Sequence, residues 1–555
     1  MIESIKLKFG SGAGEPPLEF RPDKITIFVG PNNSGKSRLL KEIKNQDSDQ
    51  IIMEDTIFLG MTDDEIYETI ISSTNLTSPE EVEEAYKANT ILDCNVINTP
   101  LPIRIIFDSL KNPNNSILNK RNWIAFYLFS HTIFLDGKNR INLTETQDMG
   151  DLQKDPVSSF QKLFQNNELR KTFREVIFRS LKYHVVIDPT LGGKLRLRLS
   201  PTPPPSDEIE KGLDTPSVTF HKKAQLVTEA SDGAKAFVGI LSEIMAGDPH
   251  LLIMDEPEAF LHPPLAFKLG LEIAKQLQQN AENKQMFAAT HSPHFLMGCI
   301  QAAVPINIVR LTYHQNHATA RILDNNQLSD LMKKPLLRST GVMEGLFYES
   351  VIITEADSDR AFYQEINERL LEVGRGVPNC LFLNAQNKQT IPEIMAPLRK
   401  IGIPAAAICD IDFFKCGNNE LNKFLKASHI PTAREDTIRM ERKKIDEKLR
   451  QKNENYKTNG GINLLDEDDL AFSKEHITYW KDYGIFIIPH GELEAWLPDL
   501  NIPGHGSKWL VSAFEKMGDD PNTDGYVRPE QGDVWDFIDQ IAEWLDNPNR
   551  RGIPP

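Results

Sequence analysis

Two groups of residues in this 555-residue chain have the types and spacing that chemistry requires. The first is Gly30-Pro31-Asn32-Asn33-Ser34-Gly35-Lys36-Ser37, a complete GxxxxGK[ST] phosphate loop. Its glycines let backbone N–H groups curl around phosphates, Lys36 reaches the terminal phosphates, and the Ser37 hydroxyl ligates Mg²⁺. Gly30, Asn32, Asn33, Ser34, Gly35, Lys36 and Ser37 are therefore the expected nucleotide contacts. Asp255 and Glu256 follow an apolar run: Asp255 is placed to hold the magnesium shell, and Glu256 to polarise an attacking water. The second group is Glu355, Asp359, Asp410 and Asp412, acids at the ends of two later apolar runs. Acids from neighbouring strand ends can converge on one or two hard cations, and oxygen-only ligands favour Mg²⁺ or Mn²⁺ over zinc. Such a site can activate water for phosphodiester hydrolysis.

Both groups need elements that position them. Lys24 to Val29 reads as a buried strand ending at the glycine loop, and Ser37 to Ile43 as the helix that opens on it. Leu251 to Met254 and Met286 to Thr290 read as two more buried strands, with a helix over Pro264 to Asn280 between them. Lys182 to Asp188 and Lys194 to Leu199 form a predicted hairpin around Leu191-Gly192-Gly193. Further on, Ser350 to Thr354, Cys380 to Leu383, Ala405 to Cys409 and Gly484 to Ile488 read as strands. Helical stretches at Asp359 to Val373 and Ile391 to Ile401 separate the first three, the rhythm of a parallel sheet. The expected fold class is α/β throughout: a P-loop head over residues 1–343 with a mainly helical insertion at about 45–180, then a second α/β domain over 344–555 with a charge-rich insertion at about 415–480.

Bulk properties are those of a globular protein, with 40% hydrophobic and 25% charged residues. No apolar run reaches the length of about 18 residues that spans a bilayer. The first residues alternate like a strand and lack a signal peptide's apolar stretch, so the expected location is cytoplasmic, without membrane attachment. The five cysteines contain no CxxC pair, which argues against a disulfide framework and a structural zinc site. A net charge of −17 disfavours binding nucleic acid through global charge and leaves that task to local patches, of which His221-Lys222-Lys223 and Arg439 to Lys444 are candidates.

The order of the pieces narrows the class. Glu229-Ala230-Ser231-Asp232-Gly233-Ala234-Lys235 precedes the Asp255-Glu256 strand, Glu258-Ala259-Phe260-Leu261-His262-Pro263 follows it, and Thr290-His291-Ser292 closes the next strand. This pattern resembles the ABC-type ATPase head in its overcoming-lysogenization-defect (OLD) and AAA-family defence variant. The resemblance puts Ser231, Asp232 and Gly233 at the signature motif, with Ser-Asp-Gly replacing the transporters' Ser-Gly-Gly. It puts His291 at the switch histidine, a γ-phosphate contact. Because the signature of one subunit completes the nucleotide site of another in such heads, it implies a homodimer or higher homo-oligomer.

Val351-Ile352-Ile353-Thr354-Glu355-Ala356-Asp357-Ser358-Asp359 followed later by Ile408-Cys409-Asp410-Ile411-Asp412 resembles a Toprim domain, with Ala356 where glycine is usual. By that resemblance Glu355, Asp410 and Asp412 are catalytic metal ligands, Asp359 joins them, and Glu492 of His490-Gly491-Glu492-Leu493-Glu494 supplies a further acid. Lys508 is the candidate for the basic residue near the scissile phosphate, and Asp357 for a helix N-cap. The combination implies an OLD-type, ATP-binding and ATP-hydrolysing, Mg²⁺- or Mn²⁺-dependent DNA endonuclease. Proteins of this architecture include phage-defence effectors of Gabija-like, PARIS-like and retron-associated systems. Partners there are DNA and a defence protein: a reverse transcriptase with its DNA, a helicase or a separate effector. The same motifs also serve a nucleotide-switched sensor or scaffold, or a repair ATPase that binds DNA without cutting it.

Overall fold

In the computed structural model, residues 1–553 are described except 13, 46–49, 93–100, 116, 138, 248, 280–283, 315–316 and 324–340. The chain divides into two compact units, one taking most of the chain up to Asn325 and the other the chain from Asn326 onward.

The first unit is organised by a six-stranded sheet. From one edge to the other the strands are His317–Leu323, Ile306–His314, Ile25–Val29, Gln285–Ala289, Leu251–Asp255 and Thr132–Leu135. All neighbours are parallel except the edge hairpin of the first two. Ile25–Val29 and Gln285–Ala289 are buried at every position, and Leu251–Asp255 at all but its last, as expected of parallel strands covered on both faces. The region 45–180 is mostly helical, with helices Asp63–Ser73, Pro79–Ala88, Ile103–Lys111, Ile117–His131 and Asn167–Leu181. It also contributes the sheet's edge strand, Thr132–Leu135, and the strand Met53–Phe58. The latter pairs with Ile2–Leu7 in a separate three-stranded antiparallel sheet. The predicted hairpin is present as His184–Asp188 against Lys194–Ser200.

The second unit holds a four-stranded, all-parallel sheet in the order Cys380–Asn384, Ser350–Thr354, Ala405–Cys409, Ile485–Ile487. Ser350–Thr354 and Ala405–Cys409 are central and fully buried. Helices Asp357–Glu372, Ser507–Met517 and Asp533–Asp546 pack an aromatic core that includes Phe362, Trp496, Trp509 and Trp535. The turn Val342–Phe347 packs against Val351 of the sheet and Leu398: a Cβ at Gly345 would lie 3.0 Å from Leu398 and 3.2 Å from Val351. The charge-rich stretch 415–480 folds into helices Asn418–Ala427, Thr432–Lys452 and Glu467–Asp482. Arg399, fully buried, donates to the carbonyls of Ala405 and Gly552 and so ties the C-terminal segment to the sheet.

Candidate functional sites

Three adjacent parallel strands of the first unit end side by side, and their registers bring the nucleotide residues together. Phe28 pairs with Ala289, and Ala289 with Asp255, so the phosphate loop, His291 and Asp255-Glu256 emerge at one sheet end. Gly30, Asn33 and Gly35 have φ of 142°, 61° and 93°. A Cβ on Gly35 would stand 2.5 Å from the tip of the Ile52 side chain, and the positive φ there favours glycine. Lys36 is buried on the first turn of helix Lys36–Asn45, its ammonium 3.3 Å from the Ser34 hydroxyl. Burial lowers its pKa to about 8 against the opposing pull of Glu256 and Asp255. Ser37 donates a 2.8 Å hydrogen bond to Asp255, which joins the two residues expected to share a magnesium shell.

Glu256 has φ 53°, and its carboxylate lies 3.9 Å from His291 Nε2. Burial and the nearby Lys36 lower the His291 pKa to about 4, so the imidazole is neutral at physiological pH. Two positioning residues complete this site, and neither was assigned a role from the sequence. Glu258 accepts a 2.8 Å hydrogen bond from the His291 backbone N–H, and burial raises its own pKa. Arg140, 1% exposed, donates to the main-chain carbonyls of Asp255 (2.5 Å) and Glu256, as well as to that of Asp136 (3.0 Å). It comes from the variable region, where no motif marks it. Ser231 and Asp232 are exposed at the start of helix Asp232–Ser242, where the Ser231 hydroxyl caps Ala234. Gly233 approaches Phe260 so closely that a Cβ would meet its carbonyl at 2.6 Å.

In the second unit, ligand atoms of Glu355, Asp410 and Asp412 lie within 4.8 Å of one another. Ser350–Thr354 and Ala405–Cys409 are neighbours; Glu355 and Asp410 directly follow their last residues, and Asp412 comes two residues after Asp410. Glu355 accepts a 3.1 Å hydrogen bond from the Asp410 N–H, which locks one strand end to the other. Burial and the crowding of like charges raise the pKa values of Glu355 and Asp410. Asp359 is pushed up to about 7, first by burial and then by Asp410, while its carboxylate accepts from the Ala356 N–H at 3.0 Å. Asp357 is the first residue of its helix rather than the cap, and pairs with Arg360 at 2.8 Å.

Two lysines reach the acids. Lys388 lies 2.8 Å from the Asp412 carboxylate and 3.0 Å from its main-chain carbonyl. The lysine outweighs the burial that would otherwise raise the Asp412 pKa, and holds it below the usual carboxylate range. Lys457, from the 415–480 insertion, lies 2.7 Å from Asp410, 3.6 Å from Asp412 and 3.6 Å from Glu492. Glu492 also stands with Glu494 and His505 in a second cluster of possible ligands. Lys508 is exposed on the first turn of helix Ser507–Met517, and among the described residues no ion pair joins it to these acids. Of the basic patches, His221 is buried against the Glu210 carbonyl at 2.9 Å, so Lys222 and Lys223 alone face solvent. Arg439 is paired with Glu435 and Asp436, and Arg442 donates to the Phe414 carbonyl; both serve the helix and its packing.

The carboxylate donors fit a hard divalent cation, with oxygen ligands only in the first cluster and repulsion among them that a cation relieves. An ABC-like nucleotide site on one unit and an acid cluster at the strand ends of a small parallel sheet on the other define an ATPase head joined to a Toprim domain. Comparison with known proteins agrees. Residues 152–297 match the family described as AAA domain, putative AbiEii toxin, Type IV TA system. Residues 346–412 match the Toprim domain of overcoming lysogenization defect protein-like proteins. In this order, the two match the arrangement of an OLD-family ATPase–Toprim fusion.

No curated protein matches the chain. Among solved structures, an Smc head bound to the C-winged helix domain of ScpA is similar at 12% identity and a TM-score of 0.33, covering 60% of this chain and 99% of that one. The SMC head domain from Thermotoga maritima is similar at 14% identity and a TM-score of 0.28, covering 58% and 99%. The ADP form of MJ1267, an ATP-binding cassette of an ABC transporter, is similar at 14% identity and a TM-score of 0.25, covering 61% and 98%. Likenesses this distant add nothing to what the residues themselves say about chemistry. Among the described residues, no helix is long and apolar enough to cross a membrane.

Proposed function

We propose that this protein is a metal-dependent DNA endonuclease under ATP control, acting as an anti-phage effector in the cytoplasm. The observation that carries the reading is the convergence of Glu355, Asp410 and Asp412 at adjacent strand ends in a chain whose other unit joins Ser37 to Asp255 beside a phosphate loop. In the nucleotide site, Lys36 neutralises the terminal phosphates, Ser37 and Asp255 hold Mg²⁺, and neutral His291 contacts the γ-phosphate. Glu256 orients and polarises the water that attacks it. Arg140 and Glu258 keep Glu256 and His291 at the strand ends by gripping backbone rather than substrate. The exposed signature residues Ser231 and Asp232, with Gly233 beside them, support a dimer in which each subunit completes the other's nucleotide site.

In the Toprim unit, Glu355, Asp410 and Asp412 hold Mg²⁺ or Mn²⁺, with Asp359 and Glu492 available to a second ion. When bound, the metal supplies Lewis acidity and lowers the pKa of a water for attack on phosphorus. Lys388 keeps Asp412 ionised and ready to ligate. The decisive experiment incubates purified protein with plasmid and phage DNA in Mg²⁺ or Mn²⁺, with and without ATP, beside an Asp410→Ala control. Cutting that disappears in the variant is the expected result, and its dependence on ATP gives the sign of nucleotide control. Phage restriction in cells that survives Asp410→Ala would remove the nuclease from the defence role.

A further inference from the structure

Lys457 sits where a cation belongs. Its ammonium is 2.7 Å from Asp410 Oδ2 and 3.6 Å from both Asp412 Oδ2 and Glu492 Oε2, between the two clusters of candidate metal ligands. The lysine is delivered there by a fixed loop. Tyr456, fully buried, donates a 2.8 Å hydrogen bond to Asp446 and lies under the Lys415 ammonium. The Lys457 carbonyl packs so tightly on Gly491 (φ 132°) that a Cβ there would meet it at 2.1 Å. Ile462 donates to the Pro489 carbonyl at 3.0 Å, and Gly491 in turn accepts from Ile411, the residue between Asp410 and Asp412, at 2.8 Å. The 456–462 loop and the acid-bearing loops thus form one hydrogen-bonded assembly.

The two lysines differ in kind. Lys388 is tied to both a carboxylate and the main-chain carbonyl of one residue, so its charge is part of the frame. Among the described residues, the ion pairs of the Lys457 ammonium are all with side-chain carboxylates, and its side chain is 30% exposed, with a flexible stem able to swing outward. An ammonium 2.7 Å from a ligand oxygen and a divalent ion on that same oxygen repel one another strongly in a half-buried site.

We infer that Lys457 is a tethered counter-cation that occupies the Toprim acid site in the metal-free protein and exchanges with the divalent metal. The 415–480 insertion is thereby a brake on metal loading. This rests on the metal site proposed above, and Asp410→Asn separates the two claims. Mn²⁺ binding to the full chain is measured by calorimetry for wild type, Lys457→Met, Lys457→Arg and Asp410→Asn, the last subtracting sites elsewhere. Lys457→Met is expected to bind the Asp410-dependent Mn²⁺ about tenfold tighter or more, a gain of about 1.4 kcal/mol, while Lys457→Arg stays near wild type. Equal or weaker binding by Lys457→Met overturns the exchange and leaves Lys457 as a support for the ligands. If no variant shows Asp410-dependent binding, the metal site itself is refuted.

Should Lys457→Met fail to fold, wild-type protein carries the test through amine acylation read by mass spectrometry. Adding Mn²⁺ must raise labelling of Lys457 but not of Lys388, and unchanged labelling of Lys457 rejects the exchange.

Discussion

The two acid-bearing sites are built on the same plan, yet they handle charge in opposite ways. In the head, the residues at the strand ends are held from behind: Arg140 grips the carbonyls of Asp255 and Glu256, and Glu258 the backbone of His291. Among the side chains gathered there, His291 is neutral, and Lys36 is drawn toward Glu256 and Asp255. In the Toprim unit, the side chains themselves are locked together and overcrowded. Glu355 accepts from the Asp410 backbone, Asp359 from Ala356, and Lys457 and Lys388 are drawn in to offset the repulsion. A phosphate loop brings its own fixed backbone donors and one lysine, so it is formed before ligand arrives. A carboxylate cluster is poorly compensated until a cation enters, which makes cation occupancy a natural point of control.

The largest expected effect tests whether the sites are separable. Lys36→Ala should remove about 2–5 kcal/mol of ATP affinity while leaving Asp410-dependent Mn²⁺ binding intact. Asp410→Ala should do the reverse, with cleavage reduced to background and ATP turnover preserved. Titration of both ligands on both variants makes the check, and loss of both functions in either variant would merge what the comparison keeps apart.

Glu256→Gln comes next. It should keep ATP and slow hydrolysis by about 10²–10⁴-fold, the usual worth of a positioned acid–base group, with the slowed complex visible as a dimer by light scattering. Normal turnover would dismiss Glu256 as the water-polarising residue.

Smaller is the effect of Arg140→Met. Leaving the buried carbonyls of Asp255 and Glu256 without their donor should cost about 1–3 kcal/mol of stability by denaturant melting. The same variant should lower kcat for ATP more than it raises KM, since Arg140 touches the frame and not the nucleotide.

The last effect is in pH. Asp359 has its pKa raised from 3.8 to about 7, and Glu355 is raised in the same sense. For an acid whose folded pKa is raised, the associated stability is present below the unfolded value and lost as pH rises through the folded one. The metal-free protein should therefore lose stability between about pH 4 and 8, by calorimetric melting, and Mn²⁺ should restore it increasingly with pH as protons leave the ligands. His291, with a pKa lowered to about 4, puts no such inflection near neutrality into ATP binding. An ATP affinity that tracks the same protonation step would blur the contrast between the sites.

Much of this was legible in the residues. The phosphate loop is contiguous, and its geometry is local: glycines at positive φ and a helix that starts at Lys36 follow from residue type and spacing alone. The apolar runs ending in Asp255, His291, Glu355 and Asp410 also marked strand ends, because a buried parallel strand needs an unbroken apolar run and must stop where acids begin. What composition alone could not reveal was which distant segments lend help. Arg140 lies in a stretch without motif, and its role depends on Thr132–Leu135 being the sheet's edge beside Leu251–Asp255. Lys457 lies in a charge-rich insertion where any of several lysines had equal claim, while Lys508, nearer the acidic segment in sequence, remains in solvent.

Sequence by itself thus determined the class of the two units and picked out the acids and loop proposed to do their chemistry, because those depend on short-range patterns of backbone and strand. Only the tertiary structure decided which cations and clamps serve them. Charge pairing acts through space over a few ångströms, and the fold alone brings residue 140 to 255 or residue 457 to 410.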